Sequence, residues 1–253
     1  MLTLFTDLDH TLIYSHRSKP DVDCIQVETM NNNPQSFMTV KTWKTITELV
    51  RNGELKVIPV TTRTKEQYER LSCLTESLYI TDALICNGAV LLKHGAAESR
   101  WLDESVSLAE NEMRELHKAK NELQTLCGEE KTHFPFEIMA YGVTDNVKQY
   151  VALLRNTVNQ RKCMIGHDRR KIYCIPASLN KGAAVKRFRE RFTTEKSLAA
   201  GDSEFDVSMF YETDYAVFPK SLLRDDMSCM YFPVDEGKIL SDTLCDVLLN
   251  IIE

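Results

Sequence analysis

The sequence contains no run of apolar residues long enough to cross a membrane as a helix, and its first residues lack the layout of a signal peptide. It is poor in glycine and proline, with nine and seven in 253 residues, which excludes collagen-like and low-complexity chains. Basic residues are not in excess: 31 Lys and Arg stand against 37 Asp and Glu, for a net charge of −6. We therefore expect neither a nucleic-acid nor a membrane partner.

Cysteine is present, but not in the patterns that mark disulfide frameworks or metal sites. The eight cysteines are scattered, without a CxxC pair or a histidine at zinc-ligand spacing. In a chain without a secretory signal, such cysteines predict buried, reduced thiols and a cytoplasmic location. At 253 residues, of which 43% are apolar, the chain is long enough and apolar enough to bury a full core without cross-links.

Apolar runs alternate with amphipathic stretches at both ends of the chain. The run LTLFTDLD ends abruptly in acid, is too short for a helix, and predicts a buried strand. Amphipathic stretches predict helices between the strands and at the C-terminus; one of them begins with a capping box at Thr64 and continues to Leu74. The further predicted strands are 56–62, 80–88, 196–203, 215–219 and 229–233. This alternation is typical of βαβ units, so we predict an α/β fold with a Rossmann-like parallel-sheet core.

The middle of the chain has a different pattern. Residues 106–126 predict one long amphipathic helix, 136–143 predict a strand, and a second helix follows. KCMIG and KIYCIP then predict a hairpin with the polar tip HDRR, where residues 167–171 either grip a substrate or form a solvated turn. This is an α+β unit of its own, inserted at 89–175, so the predicted core consists of residues 1–88 and 176–253.

Residues 15–39 separate the first strand from its helix by more than a usual βα connection. CIQVET and QSFMTV flank MNNNP, which predicts a β-hairpin projecting from the end of the first strand. Its place beside two acidic residues fits a lid over a site and fits a mere decoration equally well.

Polar residues gather where the predicted strands end. Open parallel sheets bind ligands at the carboxyl ends of their strands. The polar residues there are Asp7, Asp9, Thr11, Thr61, Thr62, Arg63, Asn87, Asp202, Ser203 and Asp206. Lys181 begins the helix that precedes the strand predicted at 196–203. Clustered carboxylates repel one another unless a cation lies among them, and oxygen ligands without His or Cys favour Mg²⁺. Lys and Thr beside such a site suit the oxygens of a phosphoryl group.

Four motifs at these positions resemble those of the haloacid dehalogenase-like hydrolases. FTDLDHTL resembles the first motif, DxDxT, and VTTRT the second; Lys181 in LNKGAAVKRF resembles the third, and GDSEFDVSMF the fourth, GDxxxD. They occur in order and span residues 7–206. An insert between the second and third motifs, with CNGA at 86–89, is similar to the branch with a large α/β cap, which includes Cof-type sugar phosphatases and sucrose-phosphate phosphatase. The insert at 89–175 would then be an α+β cap domain.

The resemblance implies catalytic roles for four residues. Asp7 would attack phosphorus as the nucleophile and form an aspartyl-phosphate. Asp9 would protonate the leaving oxygen and then activate water. Thr61 and Lys181 would stabilise negative charge on the phosphoryl oxygens.

The resemblance also implies a metal site and substrate contacts. Mg²⁺ would be held by the carboxylates of Asp7 and Asp202 and the backbone carbonyl of Asp9, with Asp206 binding or orienting that shell. His10 and Thr62 stand where the family often has glycine, and the residue before Asp206 is not the usual Asn. The residues expected near the substrate are His10, Thr62, Arg63 and Asn87.

The predicted activity is therefore Mg²⁺-dependent hydrolysis of a small phosphomonoester through an aspartyl-phosphate. A sugar phosphate is the first choice of substrate, on family analogy alone. Two alternatives remain: a phosphomutase that uses the same aspartyl-phosphate, and a non-catalytic module that binds a metabolite or a partner on the same fold. The sequence does not indicate an oligomeric state.

Overall fold

The computed structural model describes residues 1–252 and divides the chain into two compact units. One unit comprises Met1–Ala97 together with the chain from Lys181 onward, and the other comprises Glu98–Asn180. Before the insertion, the first unit contains β1 (Leu2–Thr6), β2 (Tyr14–Ser15), β3 (Cys24–Met30), β4 (Asn33–Thr39), α1 (Val40–Arg51), β5 (Leu55–Pro59), α2 (Lys65–Glu69), α3 (Ser72–Glu76), β6 (Asp82–Ile85), β7 (Val90–Lys93) and β8 (Ala96–Ala97).

The remaining elements follow in chain order. The second unit contains α4 (Ser99–Ala109), α5 (Met113–Cys127), β9 (Thr132–His133), β10 (Ala140–Val143), α6 (Val147–Thr157), β11 (Cys163–Asp168) and β12 (Lys171–Pro176). The first unit then resumes with α7 (Lys181–Arg191), β13 (Lys196–Ala200), α8 (Val207–Phe210), β14 (Tyr215–Pro219), β15 (Met230–Val234) and α9 (Leu240–Ile252). Among the helices of residues 1–252, none combines the length and apolar character of a membrane span.

A parallel sheet forms the centre of the first unit and confirms the predicted α/β class. Its strand order is β15-β14-β13-β1-β5, and every neighbouring pair runs parallel. Strand β1 is buried along its whole length, as expected for a parallel strand covered on both faces. Thr6 is in register with Ala200 on one side and Pro59 on the other, so these three strands end at the same edge.

The predicted strand at 80–88 differs from the other sheet strands. It is shortened to β6, which pairs antiparallel with β7 and meets the β5 chain through one parallel bridge between Val60 and Leu84. Cys86 and Asn87 have positive φ values of 50° and 61°, which a strand does not accommodate. Because β7 and β8 continue the hairpin that β6 begins, they lie in the first unit, beyond residue 88.

The segment 15–39 forms the expected hairpin. Strands β3 and β4 pair antiparallel, and Asn31 and Asn32 form its tip with φ values of 51° and 60°. The register shifts on both sides of Glu28, which marks a β-bulge. A bulge breaks the alternation of side chains, so Val27 and Glu28 are both buried although they are consecutive.

The second unit packs two helices on an antiparallel sheet with the strand order β11-β12-β10-β9. Buried side chains of α5, α6 and this sheet form its core, among them Leu116, Leu123, Val151, Leu154 and Ile172. The predicted hairpin of residues 163–176 is present, but its strands run on through Asp168 and from Lys171, which leaves a tip of two residues.

Three predicted elements of the chain are corrected by backbone geometry. The helix predicted over 106–126 is two helices, α4 and α5, separated by a 3-10 turn at 110–112. The strand predicted over 136–143 begins only at Ala140, because Phe136 and Glu137 have positive φ values. The helix predicted from Thr64 to Leu74 is divided into two short helices, α2 and α3. Leu71, between them, has a ψ of 48°, which is not helical.

All eight cysteines are free thiols, but only half of them are buried as predicted. Cys86, Cys163, Cys174 and Cys245 are buried, whereas Cys24, Cys73, Cys127 and Cys229 are partly exposed.

Candidate active site

Three carboxylates meet at the edge where β1 and β13 end. Asp7 directly follows β1, and its amide donates to the carbonyl of Ala200 at the end of β13, 2.8 Å away. Asp202 and Asp206 lie in the loop after β13. One carboxylate oxygen from each of Asp7, Asp202 and Asp206 lies within 4.8 Å of the others. The parallel register of the two strands thus joins acidic residues that are about two hundred positions apart.

Asp206 shapes the loop that carries Asp202. Its Oδ2 accepts hydrogen bonds from the amides of Asp202 (3.0 Å) and Ser203 (2.9 Å) and from the Ser203 hydroxyl (2.8 Å). A Cβ at Gly201 would lie 2.3 Å from Asp206 Cβ, so only glycine fits beside this carboxylate. Asp206 therefore fixes the loop from within, fully buried.

Lys181 joins two of the three carboxylates. Its Nζ donates to Asp7 Oδ1 at 2.6 Å and to Asp206 Oδ1 at 2.5 Å. Burial alone would lower the pKa of Lys181, but the two carboxylates outweigh it and raise that pKa, so the ammonium is charged. The next residue is Gly182, where a Cβ would lie 2.2 Å from the Ser208 carbonyl oxygen, which brings the start of α7 against α8.

The electrostatics of this cluster favour a bound cation. Burial raises the pKa of Asp7, and the nearby Asp206, Asp202 and Asp9 raise it further against the opposing effect of Lys181. The donor set is made of carboxylate oxygens alone, which are the ligands that Mg²⁺ prefers. The residues present thus fit a magnesium ion, whose charge would offset the carboxylates that a single lysine does not neutralise.

The Asp9 carboxylate lies apart from this cluster. The loop after β1 is tight: the amide of His10 donates to the carbonyl of Ile13 at 2.7 Å, and His10 has a φ of 65°. That left-handed backbone is the conformation that glycine favours. The Asp9 oxygens instead accept a bidentate pair from Arg63, Nε to Oδ2 at 2.8 Å and Nη2 to Oδ1 at 2.9 Å.

Arg63 uses all five of its N–H donors within the protein. Besides the two bonds to Asp9, Nη1 and Nη2 donate to Glu28 Oε1 and Oε2 at 3.2 and 3.0 Å, and Nη1 donates to the carbonyl of Gln67 at 3.0 Å. The neighbouring carboxylates raise the pKa of this buried guanidinium against the effect of burial. The predicted contact between Arg63 and substrate remains a prediction, and in this arrangement it has no N–H left to supply it.

Glu28 belongs to this network, although its sequence pattern does not single it out. It is buried on the hairpin strand β3, accepts a hydrogen bond from the Ser36 hydroxyl at 2.6 Å and forms an ion pair with Arg70 Nε at 3.0 Å. Regular alternation around Val27 would have turned this carboxylate to solvent, and only the bulge turns it inward. The one signal in the sequence was an acidic residue inside an otherwise apolar and neutral strand.

The other predicted residues surround the ends of β5 and β6. Thr61 is buried, its hydroxyl accepts from the Arg63 amide at 3.2 Å, and its amide donates to the carbonyl of Leu84 at 2.9 Å. The amide of Asn87 donates to the carbonyl of Thr61 at 2.8 Å, and Thr62 is half-buried in the same turn. The roles of Thr61, Thr62, Asn87 and His10 toward a substrate stay predictions.

Comparison with known proteins gives one family match and several structural matches. The sequence model of the family described as sucrose-6F-phosphate phosphohydrolase matches residues 1–220. The sucrose-phosphatase of Synechocystis sp. PCC6803, solved with sucrose and phosphate, is 14% identical with a TM-score of 0.58, over 98% of this chain and 97% of its own. No curated protein matches the chain significantly.

Two further solved structures share the fold. The HAD subclass IIB sugar phosphatase BT4131 is 14% identical with a TM-score of 0.65, over the full length of both chains. The trehalose-6-phosphate phosphatase of Aspergillus fumigatus is 12% identical with a TM-score of 0.50, over 99% of this chain and 92% of its own. At these identities the structural matches establish the fold, and the family match covers most of the chain.

Proposed function

Since the chain belongs to the sucrose-6F-phosphate phosphohydrolase family of haloacid dehalogenase-like hydrolases, we propose that it hydrolyses the phosphomonoester of a small sugar phosphate. The observation that carries this proposal is the buried ion pair of Asp7 and Lys181 beside two further carboxylates. A nucleophile next to a fixed positive charge is what attack on an anionic phosphoryl group requires.

The proposed reaction has two displacements at phosphorus. In the first, a carboxylate oxygen of Asp7 attacks, the bond from phosphorus to the sugar oxygen breaks, and Asp9, which enters this step protonated, gives its proton to that oxygen. In the second, water attacks the phosphorus of the aspartyl-phosphate and gives a proton to Asp9, and the bond to Asp7 breaks. Inorganic phosphate leaves, and both aspartates return to their starting states.

Lys181 and Thr61 have supporting roles in this proposal. The ammonium of Lys181 donates to Asp7 Oδ1 and is held from the other side by Asp206 Oδ1, so it lies where negative charge develops during attack. Thr61 ends the neighbouring strand, and its hydroxyl would donate to a phosphoryl oxygen while accepting from the Arg63 amide.

Mg²⁺ would be held by the carboxylates of Asp7 and Asp202 and by the backbone carbonyl of Asp9. Asp206 would bind the ion or orient these ligands. When bound, the ion neutralises phosphate charge that the carboxylates would otherwise repel. Asp206 and Gly201 fix the conformation of the loop that carries Asp202, so the Asp202 carboxylate stays close to that of Asp7.

The sugar portion of the substrate is inferred from relatives. The family description names sucrose-6F-phosphate, and the matching structures are named as phosphatases of sucrose phosphate, trehalose 6-phosphate and sugar phosphates. The partner is then a small-molecule phosphate ester, and the eight free thiols fit a reducing compartment such as the cytoplasm.

Phosphate release with Mg²⁺ tests the proposal on sucrose 6F-phosphate, trehalose 6-phosphate and glucose 6-phosphate. We expect the wild-type protein to hydrolyse at least one of them and Asp7→Asn to lose about 10³-fold or more in kcat. Asp82→Asn is the matched control, because Asp82 is also a buried carboxylate with a lysine partner, Lys56 at 3.2 Å. This pair lies where β5 and β6 begin, whereas the candidate site lies where the strands end. Absence of phosphate release from all three esters, or equal rates in wild type and Asp7→Asn, would overturn the proposal. Isomerisation of a sugar phosphate without phosphate release would instead indicate a mutase.

A further inference from the structure

A chain of four alternating charges leads from the hairpin to Asp9. Arg63 binds Asp9 through one edge of its guanidinium, with contacts of 2.8 and 2.9 Å, and Glu28 through the adjacent edge, with contacts of 3.0 and 3.2 Å. Arg70 then binds Glu28 from its other side at 3.0 Å. Two bidentate contacts on one planar group fix both its position and its tilt.

The burial of this chain of charges is uneven. The side chain of Glu28 is 1% exposed and that of Arg63 is 8% exposed, whereas that of Asp9 is 40% exposed. The buried pair of Glu28 and Arg63 therefore forms a fixed support, and the Asp9 carboxylate that it holds is accessible to solvent. A flexible arginine without Glu28 would have several rotamers from which to reach Asp9, and the orientation of the Asp9 carboxylate would vary with them.

A carboxylate as deeply buried as Glu28 is weakly explained by stability alone. Removing two charges from water costs about as much as their attraction returns, and apolar residues often replace such pairs without loss. Glu28 further depends on a bulge that interrupts the hairpin ladder and on the Ser36 hydroxyl, 2.6 Å away. These features favour a role in the site rather than in the core.

We propose that Glu28 is a positioning residue for catalysis, which holds Arg63 so that Arg63 orients the Asp9 carboxylate toward the leaving-group oxygen. This inference rests on the proposed function, in which Asp9 transfers protons. The hairpin of β3 and β4 then has a defined role, because it supplies the fixed end of the contact that aims the proton donor.

The test compares Glu28→Gln with the wild-type protein on two kinds of leaving group. One substrate is the sugar phosphate that the wild type hydrolyses fastest among the three esters above, whose alkoxide needs a proton donor. The other is p-nitrophenyl phosphate, whose phenolate leaves without one. The ratio kcat/KM is measured because it covers the steps up to departure of the leaving group. We expect a loss of about 10- to 100-fold on the sugar phosphate and less than about 3-fold on the aryl ester.

Controls separate the role of Glu28 from general damage. Asp9→Asn should show the same dependence on the leaving group with a larger loss, and Asp82→Asn should show none. Ser36→Ala removes only the hydroxyl donor to Glu28 and, if Glu28→Gln does not fold, gives the decisive measurement, with a several-fold loss confined to the sugar phosphate.

Four outcomes decide the matter. A loss confined to the sugar phosphate supports the proposal. Equal losses on both substrates in a folded variant, or no loss on either, contradict the positioning role while leaving the phosphatase proposal intact. If the wild-type protein releases phosphate from none of the three sugar esters, the proposed function itself fails, and with it the role of Glu28.

Discussion

The ammonium of Lys181 lies 2.6 Å from the Asp7 carboxylate, although the two residues are 174 positions apart in the chain. The Lys181 side chain is 1% exposed, and Asp206 holds it from the other side. Such a short contact in a water-poor site places a fixed positive charge against the proposed nucleophile.

Replacement of Lys181 by Met should reduce both activity and stability. Two buried carboxylates would lose their counter-charge, so we expect a loss of about 3–5 kcal/mol in the free energy of unfolding and about 10²–10³-fold in kcat. Urea denaturation and phosphate release measure the two effects. The exposed pair of Lys41 and Asp246 provides the control, since Lys41→Met should cost at most about 1 kcal/mol. An equally stable and active Lys181→Met protein would contradict this account of the site.

Magnesium should stabilise the protein against heat, and Asp202 should be needed for that effect. At a free Mg²⁺ concentration of 100 times its Kd, the gain is about 2.7 kcal/mol. We expect Asp202→Asn to lose most of the rise in Tm that Mg²⁺ produces in the wild type, whereas Asp82→Asn should keep it. A magnesium-dependent rise in Tm that is unchanged in Asp202→Asn would place the ion elsewhere.

Substitution of Gly201 should disturb the loop that holds Asp202. An added Cβ would lie 2.3 Å from Asp206 Cβ, so Gly201→Ala should destabilise the protein by about 1–3 kcal/mol and weaken the Mg²⁺-dependent shift in Tm. Gly95→Ala is the matched control: its Cβ meets nothing within 4 Å, and its φ of +78° costs only about 1–2 kcal/mol. If both variants bind Mg²⁺ like the wild type, the loop does not depend on this close contact.

Burial should make the thiols unreactive near neutral pH. It raises the pKa of Cys73 and of Cys245 to about 11, and only the thiolate reacts with iodoacetamide. The rate at which Cys73 is labelled in the folded protein should therefore rise about tenfold per pH unit up to about pH 11. In urea, where the thiol pKa returns to about 8.5, the rise should end near that pH. Mass spectrometry of the labelled peptide provides the rates, and a folded-state plateau near pH 8.5 would contradict the raised pKa.

The central fold and much of the candidate site follow from local patterns. Strand β1 and the residues after it were predictable because a fully buried strand is a continuous apolar run, and its abrupt end in acid marks the sheet edge. The helix break at 110–112 was not predictable, since Ala109 and Met113 keep a helical spacing across it. Similarly, the positive φ values of Phe136 and Glu137 leave no trace in hydrophobic periodicity.

The sequence by itself determined that Asp7 and Asp202 would lie at one edge of a parallel sheet, because parallel neighbours end together. Only the tertiary structure decided what their neighbours do: Lys181 bridges Asp7 and Asp206, and Arg63 is shared between Asp9 and Glu28. Side-chain alternation is a local property that a sequence displays, whereas a bulge arises only when two strands pair. The inward turn of Glu28 therefore exists only in the folded chain.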